Sequence, residues 1–277
     1  MDVELLQKKI QLESLIRDMG SVVVAFSGGV DSALVLAAAH SVLGDKVLAA
    51  TACSDSVPRR ELDEARKLAQ TIGARHVVIQ TGEMDSPDYR SNPVNRCYFC
   101  KSELYGKLRA LADERGYAHI ANGTNADDAG DYRPGISAAA EANVQSPLRD
   151  AGFTKADIRA LSREMGLSTW EKPAMACLSS RIPYGQPVTP EKLAMIEHAE
   201  DFLISLGFKQ MRVRHHGDIA RIELPKEEIA AFFSGDIAGR VQRAFKEIGF
   251  KYVAVDIEGY RTGSLNEAVA MAKPGND

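Results

Sequence analysis

The chain of 277 residues has no surplus of basic charge: Lys and Arg total 34 against 38 Asp and Glu, a formal net charge of −4. Binding to a nucleic-acid backbone ordinarily shows as excess positive charge, so the balance argues against transfer RNA as substrate and favours a small molecule. No stretch approaches the roughly 18 uninterrupted apolar residues of a membrane span, and the first residues are charged rather than signal-like. A cytoplasmic protein without membrane partners is expected. Cysteine is scarce, with Cys53, Cys97, Cys100 and Cys177 alone. In a reducing compartment so few thiols argue against a disulfide framework and make metal or sulfur chemistry the question. What is present is ordinary for a soluble globular protein, 45% hydrophobic and 26% charged, with length for one large or two modest domains.

Ser27-Gly28-Gly29-Val30-Asp31-Ser32 follows the apolar run Val22-Val23-Val24-Ala25-Phe26 and precedes Ala33-Leu34-Val35-Leu36-Ala37-Ala38-Ala39. This predicts a buried strand, a tight turn and a helix. Two glycines let backbone N–H groups approach a ligand, and the helix N-terminus favours a phosphate. The loop lacks the Lys of G-x-x-x-x-G-K-[ST], which excludes that phosphate loop. It resembles instead the pyrophosphatase loop of ATP-cleaving synthetases and sulfur transferases. That resemblance implies that Ser27, Gly28, Gly29 and Ser32 hold the pyrophosphate of ATP and that Asp31 positions Mg²⁺ or the loop itself.

The remaining pattern supports such a fold. Residues 3–19 read as a helix ending at Gly20, residues 46–52 and 75–80 as strands around a helix at 59–72, and 119–122 as a fourth strand. Strands separated by helices of that length predict an α/β fold with a doubly wound parallel sheet. Residues 82–96 read as a loop, and 101–115 as a helix. Gly123-Thr124-Asn125-Ala126-Asp127-Asp128 follows the fourth strand, at the edge where open α/β sheets bind ligands. Asn125 and Asp127 resemble a second nucleotide or magnesium element of the superfamily. A helix at 154–165 opens on the capping-box pattern Thr154-Lys155-Ala156-Asp157.

The pattern changes near residues 185–188. Thr189 caps a helix with Pro190 at its first position, and residues 209–214 and 218–224 flank His215-His216-Gly217 as a hairpin. Helices at 226–233 and 237–248 and a strand at 251–256 follow. Leu206-Gly207-Phe208-Lys209 recurs as Ile248-Gly249-Phe250-Lys251, two helix-to-strand junctions of similar design. We therefore expect domains at 1–186 and 187–277, the second a small α+β domain, with a disordered tail from about Lys273.

Cys97-x-x-Cys100 with remote Cys177 has three readings: a redox dithiol, part of a zinc site, or part of an iron–sulfur site with one iron open. Zinc needs a fourth ligand, for which His76, His119, His215 and His216 have no diagnostic spacing. Redox use has little support, because the pair does not open a helix in the first β-α unit. Cys53, at a strand end, reads as a small buried residue. Arg212 and Arg214 share one face of a strand, where two guanidiniums can clamp a phosphate.

Phe26 to Ser32, Asp131-Tyr132-Arg133-Pro134-Gly135, Cys177-Leu178-Ser179-Ser180-Arg181-Ile182-Pro183-Tyr184-Gly185 and the segment from Arg212 to Glu223 together resemble the ATP-dependent sulfur transferases that mature lactate racemase, over nearly the whole chain. The resemblance implies an enzyme that adenylates a carboxylate of pyridinium-3,5-biscarboxylic acid mononucleotide and replaces its oxygen with sulfur, on the way to a nickel-pincer nucleotide. It implies roles near the reacting centre for Lys101, Cys177, Ser180 and Glu200, and phosphate contacts for Arg181, Arg212 and Arg214. Some members sacrifice the sulfur of a single cysteine, here matched by Cys177. The set Cys97, Cys100 and Cys177 resembles the subgroup that binds a [4Fe-4S] cluster and passes on an extra sulfide, and this route is favoured. The sulfur would then come from sulfide or another donor. A symmetric homo-oligomer, a hexamer by resemblance, is also implied.

Overall fold

The computed structural model describes residues 2–130, 134–173, 176–261 and 263–265. The expected tail from Lys273 lies outside them, as do Asp131, Tyr132 and Arg133. The chain divides into two compact units, residues 1–86 with 95–175 and residues 87–94 with 176–277, whereas the change in sequence pattern falls near 185–188.

In the first unit, helix α1 (Val3–Met19) leads into strand β1 (Val22–Ala25), followed by α2 (Val30–Leu43), β2 (Val47–Cys53), α3 (Arg59–Ile72), β3 (Arg75–Gln80), α4 (Arg96–Arg115), β4 (His119–Ala121), α5 (Pro134–Glu141) and α6 (Lys155–Glu164). The four strands form a parallel sheet in the order β3-β2-β1-β4. Because the strands are buried on both faces, β1 and β2 read as continuous apolar runs rather than alternations. One face packs on α1 and on α2, where Val30 and the run from Ala33 to Ala39 are all buried. The other face packs Val23, Leu48 and Ile120 against Tyr105, Leu108 and Leu111 of α4 and Ala138 of α5. Helices on both faces make the sheet doubly wound. The chain runs outward from β1 to β2 and β3, then returns to place β4 on the other side of β1. The carboxyl end of β1 is therefore the switch point at which such sheets bind ligands.

Helix α4 begins at Arg96, five residues before the position expected from sequence, so Cys97 and Cys100 lie on its opening turns. Tertiary contacts override the weak local signal of Arg-Cys-Tyr-Phe-Cys: the Tyr98 hydroxyl, for instance, donates to Glu141 Oε2 of α5 at 2.7 Å. Residues 82–96, expected as loop, also hold a single 3-10 turn at Glu83–Asp85 and a helical turn at Pro87–Arg90. The capping box at Thr154 and Asp157 forms as expected. Cys53, expected buried, is half-buried.

In the second unit, α7 (Pro190–Ser205) precedes the antiparallel hairpin β5 (Arg212–His216) and β6 (Ile219–Glu223), helices α8 (Lys226–Phe232) and α9 (Ile237–Ile248), and β7 (Tyr252–Val255), which pairs parallel to β6. Its core joins Ala199 and Leu203 of α7 to Val213, Ile222, Phe245 and Phe250. The two Leu/Ile-Gly-Phe-Lys junctions share one geometry. Gly207 and Gly249 both take positive φ, and the N–H groups of Phe208 and Phe250 return to the carbonyls of Leu203 and Phe245 at 3.2 and 3.0 Å. Residues 87–94 join this unit through Asn92, fully buried at φ +57°. Its side-chain amide lies 3.3, 2.8 and 3.0 Å from the carbonyls of Ile182, Pro183 and Gln186.

Candidate active site

The loop at Ser27 is built from β1 outward. Phe26, the last residue before it, is anchored on β2: its N–H donates to the Ala50 carbonyl and its carbonyl accepts from Thr51 Oγ1 at 2.7 Å. Thr51 also meets His76 Nε2 at 2.8 Å. Gly28 turns the chain at φ +71°, and a Cβ there would stand 3.1 Å from Ala65 Cβ. Ser32 Oγ lies 3.2 Å from the N–H and the hydroxyl of Ser27, and it donates to the Gly29 carbonyl at 3.2 Å. Gly29 is the N-cap of α2 and supplies no side chain, so no side-chain cap occupies the helix terminus. A helix end of that kind offers unpaired N–H groups and positive potential to an anion.

Gly123, after β4, closes the other side. A Cβ there would come within 2.9 Å of both Asp31 Cβ and the Ser32 nitrogen, so only glycine lets the two loops touch. Asn125 Nδ2 donates to Asp31 Oδ1 at 3.3 Å, which joins two of the expected nucleotide-binding residues. Asp127, the third, accepts the Lys155 N–H at 2.7 Å, and Asp128 accepts the Asn125 N–H at 3.0 Å. Two lysines that the sequence did not mark as site residues lie beside this loop in the first unit. Lys155 Nζ sits 2.5 and 2.6 Å from the two Asp31 oxygens. Lys172 Nζ reaches the Gly28 carbonyl at 3.4 Å and carboxylate oxygens of Glu61 and Glu64 at 2.7 Å each. The one available signal was indirect: residues 27–32 include no lysine or arginine of their own.

Cys97 is exposed and Cys100 half-buried, and their i, i+3 spacing puts them on one side of α4. Lys101 follows, its ammonium 5.9 Å from the centre of the Tyr105 ring. None of the four cysteines is in a disulfide, and among the described residues no three His, Cys, Asp or Glu side chains are gathered for a metal ion.

In the second unit, half-buried Cys177 opens a 3-10 turn over Leu178–Arg181. Arg181 and Glu200 are both fully buried. Arg181 donates from Nε and Nη2 to the two Glu200 oxygens at 2.9 and 3.0 Å, and from Nη1 to the carbonyls of Ala176 and Cys177 and to Ser180 Oγ. Glu200 Oε1 also accepts the Val213 N–H at 3.1 Å. Burial works to raise the Glu200 pKa, but the charge and hydrogen bonds of Arg181 prevail and hold it below the ordinary glutamate value. Arg214 makes a two-point pair with Glu223 at 2.9 and 2.7 Å and donates to the Ser180 carbonyl and Ser264 Oγ. Arg212 lies over the Tyr260 ring and donates to the Met211 carbonyl. Burial, then the charge of Arg181, pushes its pKa down. Glu223, Tyr260 and Ser264 were not visible as site residues in the sequence, because strand register and chain return bring them to Arg212 and Arg214.

A glycine-turned loop at the switch point of a parallel sheet, joined to a Gly-Thr-Asn element from β4, defines an ATP-utilising enzyme of the pyrophosphatase-loop class. The asparagine synthase family model matches residues 10–97, which span this loop. A subunit of the glutamine-hydrolyzing GMP synthase of Thermoplasma acidophilum is 28% identical over 65% of this chain and 62% of its own length. The pyridinium-3,5-bisthiocarboxylic acid mononucleotide synthase of Lactiplantibacillus plantarum is 40% identical over 96% of each chain, and an uncharacterised protein of Synechocystis is 45% identical over 96% of this chain and 99% of its own. The chain belongs to the family of ATP-dependent sulfur transferases of lactate racemase maturation. Among the described residues no helix is long and apolar enough to cross a membrane.

Proposed function

We propose that this enzyme adenylates a carboxylate of pyridinium-3,5-biscarboxylic acid mononucleotide and exchanges the activated oxygen for sulfur, in the assembly of a nickel-pincer nucleotide. The observation that carries this reading is the likeness to the L. plantarum synthase, which runs through both compact units rather than the nucleotide loop alone. A carboxylate resists sulfur nucleophiles until its oxygen becomes a good leaving group. The substrate oxygen attacks the α-phosphorus of ATP, the bond to the β-phosphate oxygen breaks, and its electron pair leaves with pyrophosphate. Sulfur then adds to the acyl carbon, and AMP departs with the carbon–oxygen electron pair.

Ser27, Gly28, Gly29 and Ser32 hold the phosphates, and Asn125 and Asp127 keep Asp31 and Lys155 in place. Asp31, both of whose oxygens pair with Lys155, would help position the loop itself or Mg²⁺, which offsets charge on the departing pyrophosphate. Arg212 and Arg214 bind the phosphate of the mononucleotide. Arg181 and Glu200 act from behind, holding Cys177 and Ser180 in position, and Lys101 serves the reacting carboxylate. Cys97, Cys100 and Cys177 would hold a [4Fe-4S] cluster, which when bound supplies an open iron for an extra sulfide. The donor set fits in chemistry: three thiols outside any disulfide, two of them one helical turn apart. A cytoplasmic homo-oligomer completes the reading.

The test is anaerobic turnover with ATP, Mg²⁺, sulfide and the mononucleotide, followed by mass spectrometry. Oxygen-to-sulfur exchange in the mononucleotide is expected, and transfer of sulfur only to RNA overturns the substrate. A brown protein that loses its absorbance in Cys97→Ala is expected for the cluster. A colourless protein whose Cys177 loses the mass of H₂S on turnover replaces the cluster with the sacrificial route.

A further inference from the structure

Leaving pyrophosphate concentrates negative charge, yet the loop at Ser27 contains no cation. The first unit brings one to it from 144 residues along the chain. Lys172 Nζ lies 3.4 Å from the Gly28 carbonyl, at the glycine whose positive φ shapes the loop. The root of this side chain is fixed. Arg159 donates to the Trp170 and Lys172 carbonyls at 2.5 and 3.1 Å, the Lys172 N–H donates to the Thr169 carbonyl, and Arg163 stacks on Trp170 at 4.9 Å.

The tip is held differently. Its two carboxylate partners are on α3, one turn apart: Glu61 is largely buried, with 11% of its side chain exposed, and Glu64 is 55% exposed. Burial lowers the pKa of Lys172, but hydrogen bonds to Glu61 and Glu64 outweigh it and keep the amine above the ordinary lysine value. The ammonium is therefore charged, screened from solvent at 15% exposure, and adjacent to the phosphate-binding backbone. An exposed carboxylate is a weak competitor for a lysine that a polyphosphate can also reach, because solvent already satisfies Glu64. Lys155, the other lysine of the site, is committed to both oxygens of Asp31.

We propose that Lys172 is the phosphate-binding cation of this loop: on nucleotide binding its ammonium exchanges Glu64 for oxygens of the β- or γ-phosphate, keeps Glu61 as orienting partner, and stays with pyrophosphate as it leaves. This rests on the reading that ATP is split between its α- and β-phosphates. The substrate oxygen forms the new bond to the α-phosphorus while the α–β bridging bond breaks toward pyrophosphate. Lys172 keeps its three protons throughout and contributes hydrogen bonds and charge alone.

Isothermal titration of Mg-pyrophosphate and, separately, AMP into the full chain tests the assignment. Lys172→Ala is expected to weaken pyrophosphate by about tenfold or more while AMP affinity changes less than about twofold, and Lys172→Arg is expected to restore most of the loss. If Lys172→Ala does not fold, Lys172→Gln, which keeps the stem, is read by the same criteria. Equal weakening of both ligands means a structural clamp and overturns the proposal, as does unchanged pyrophosphate binding or a wild type that binds none. A wild type that binds pyrophosphate through Lys172 but puts no sulfur on the pyridinium mononucleotide overturns the substrate reading and leaves this assignment standing.

Discussion

The buried pair Arg181–Glu200 gives the sharpest quantitative expectation. Both side chains are 0% exposed, and Arg181 is the hub that ties the Cys177 turn to α7 and, through Glu200, to β5. Glu200→Gln preserves volume and an acceptor for the Val213 N–H but removes the charge opposite Arg181. The guanidinium is then buried without a counter-charge, close enough to Arg212 to depress its pKa. Removing one partner of such a pair costs about 3–5 kcal/mol. Against the roughly 5–15 kcal/mol that holds a domain together, this is about a fifth of the total or more. Urea titration with hydrogen exchange read on peptides of β5 and β6 measures it. Fluorescence of the single Trp170, in the first unit, serves as an internal control. Arg181→Met with Glu200→Leu removes both charges and is expected to cost less than Glu200→Gln alone, since an apolar pair avoids the orphaned charge. The pH dependence has a defined sign. Glu200 titrates below its unfolded value, so its contribution is complete above about pH 4.3 and is lost as pH falls through the folded value. The gap between wild type and Glu200→Gln should therefore close in acid. A Glu200→Gln protein within about 0.5 kcal/mol of wild type, or a gap that widens in acid, refutes the reasoning.

Gly123→Ala should drive a methyl against Asp31 and the Ser32 nitrogen, costing about 1–3 kcal/mol and a larger share of AMP formation than of melting temperature; full activity would show that the loops do not meet in the working enzyme. Burial pushes down the pKa values of His76, His215 and His216, aided by Arg66, Lys192 and Arg221 respectively. The unfolded chain therefore takes up protons that the fold refuses, and stability should fall as pH drops below about 6.5, with a slope bounded by the three rings. Melting curves from pH 7.5 to 5.5 check this, and a flat profile would mean that these rings are charged in the folded protein.

Much of the fold was legible because local rules and tertiary demand agree. The short apolar runs at residues 22–26 and 47–50, bounded by turn residues, suit strands covered on both faces, and β1 and β2 are such strands. Thr154 with Asp157 and Thr189 with Pro190 carry their own capping chemistry, and the helices begin there. The start of α4 escapes a sequence reading because Arg-Cys-Tyr-Phe-Cys has no helical apolar period, and contacts with α5 override that silence. The association of residues 87–94 with 176–188 was also invisible: Asn92 looks like a loop residue until its amide meets three carbonyls some 90 positions away.

The candidate site divides in the same way. Ser27 to Ser32 announced an anion site by itself, because paired glycines between an apolar strand and a helix are a local statement about backbone geometry. Which cations and carboxylates attend that loop is a statement about distance through space. Asp31 meets Lys155, and Gly28 meets Lys172, across more than a hundred residues of chain. Glu200, on an amphipathic helix, could equally have faced solvent; only the packing of α7 on β5 buries it with Arg181. The sequence alone thus determined that a glycine-turned, anion-ready loop follows β1, since the loop's conformation is written in six consecutive residues. The tertiary structure decided which charges surround the loop, because burial and pairing depend on neighbours that chain order does not reveal.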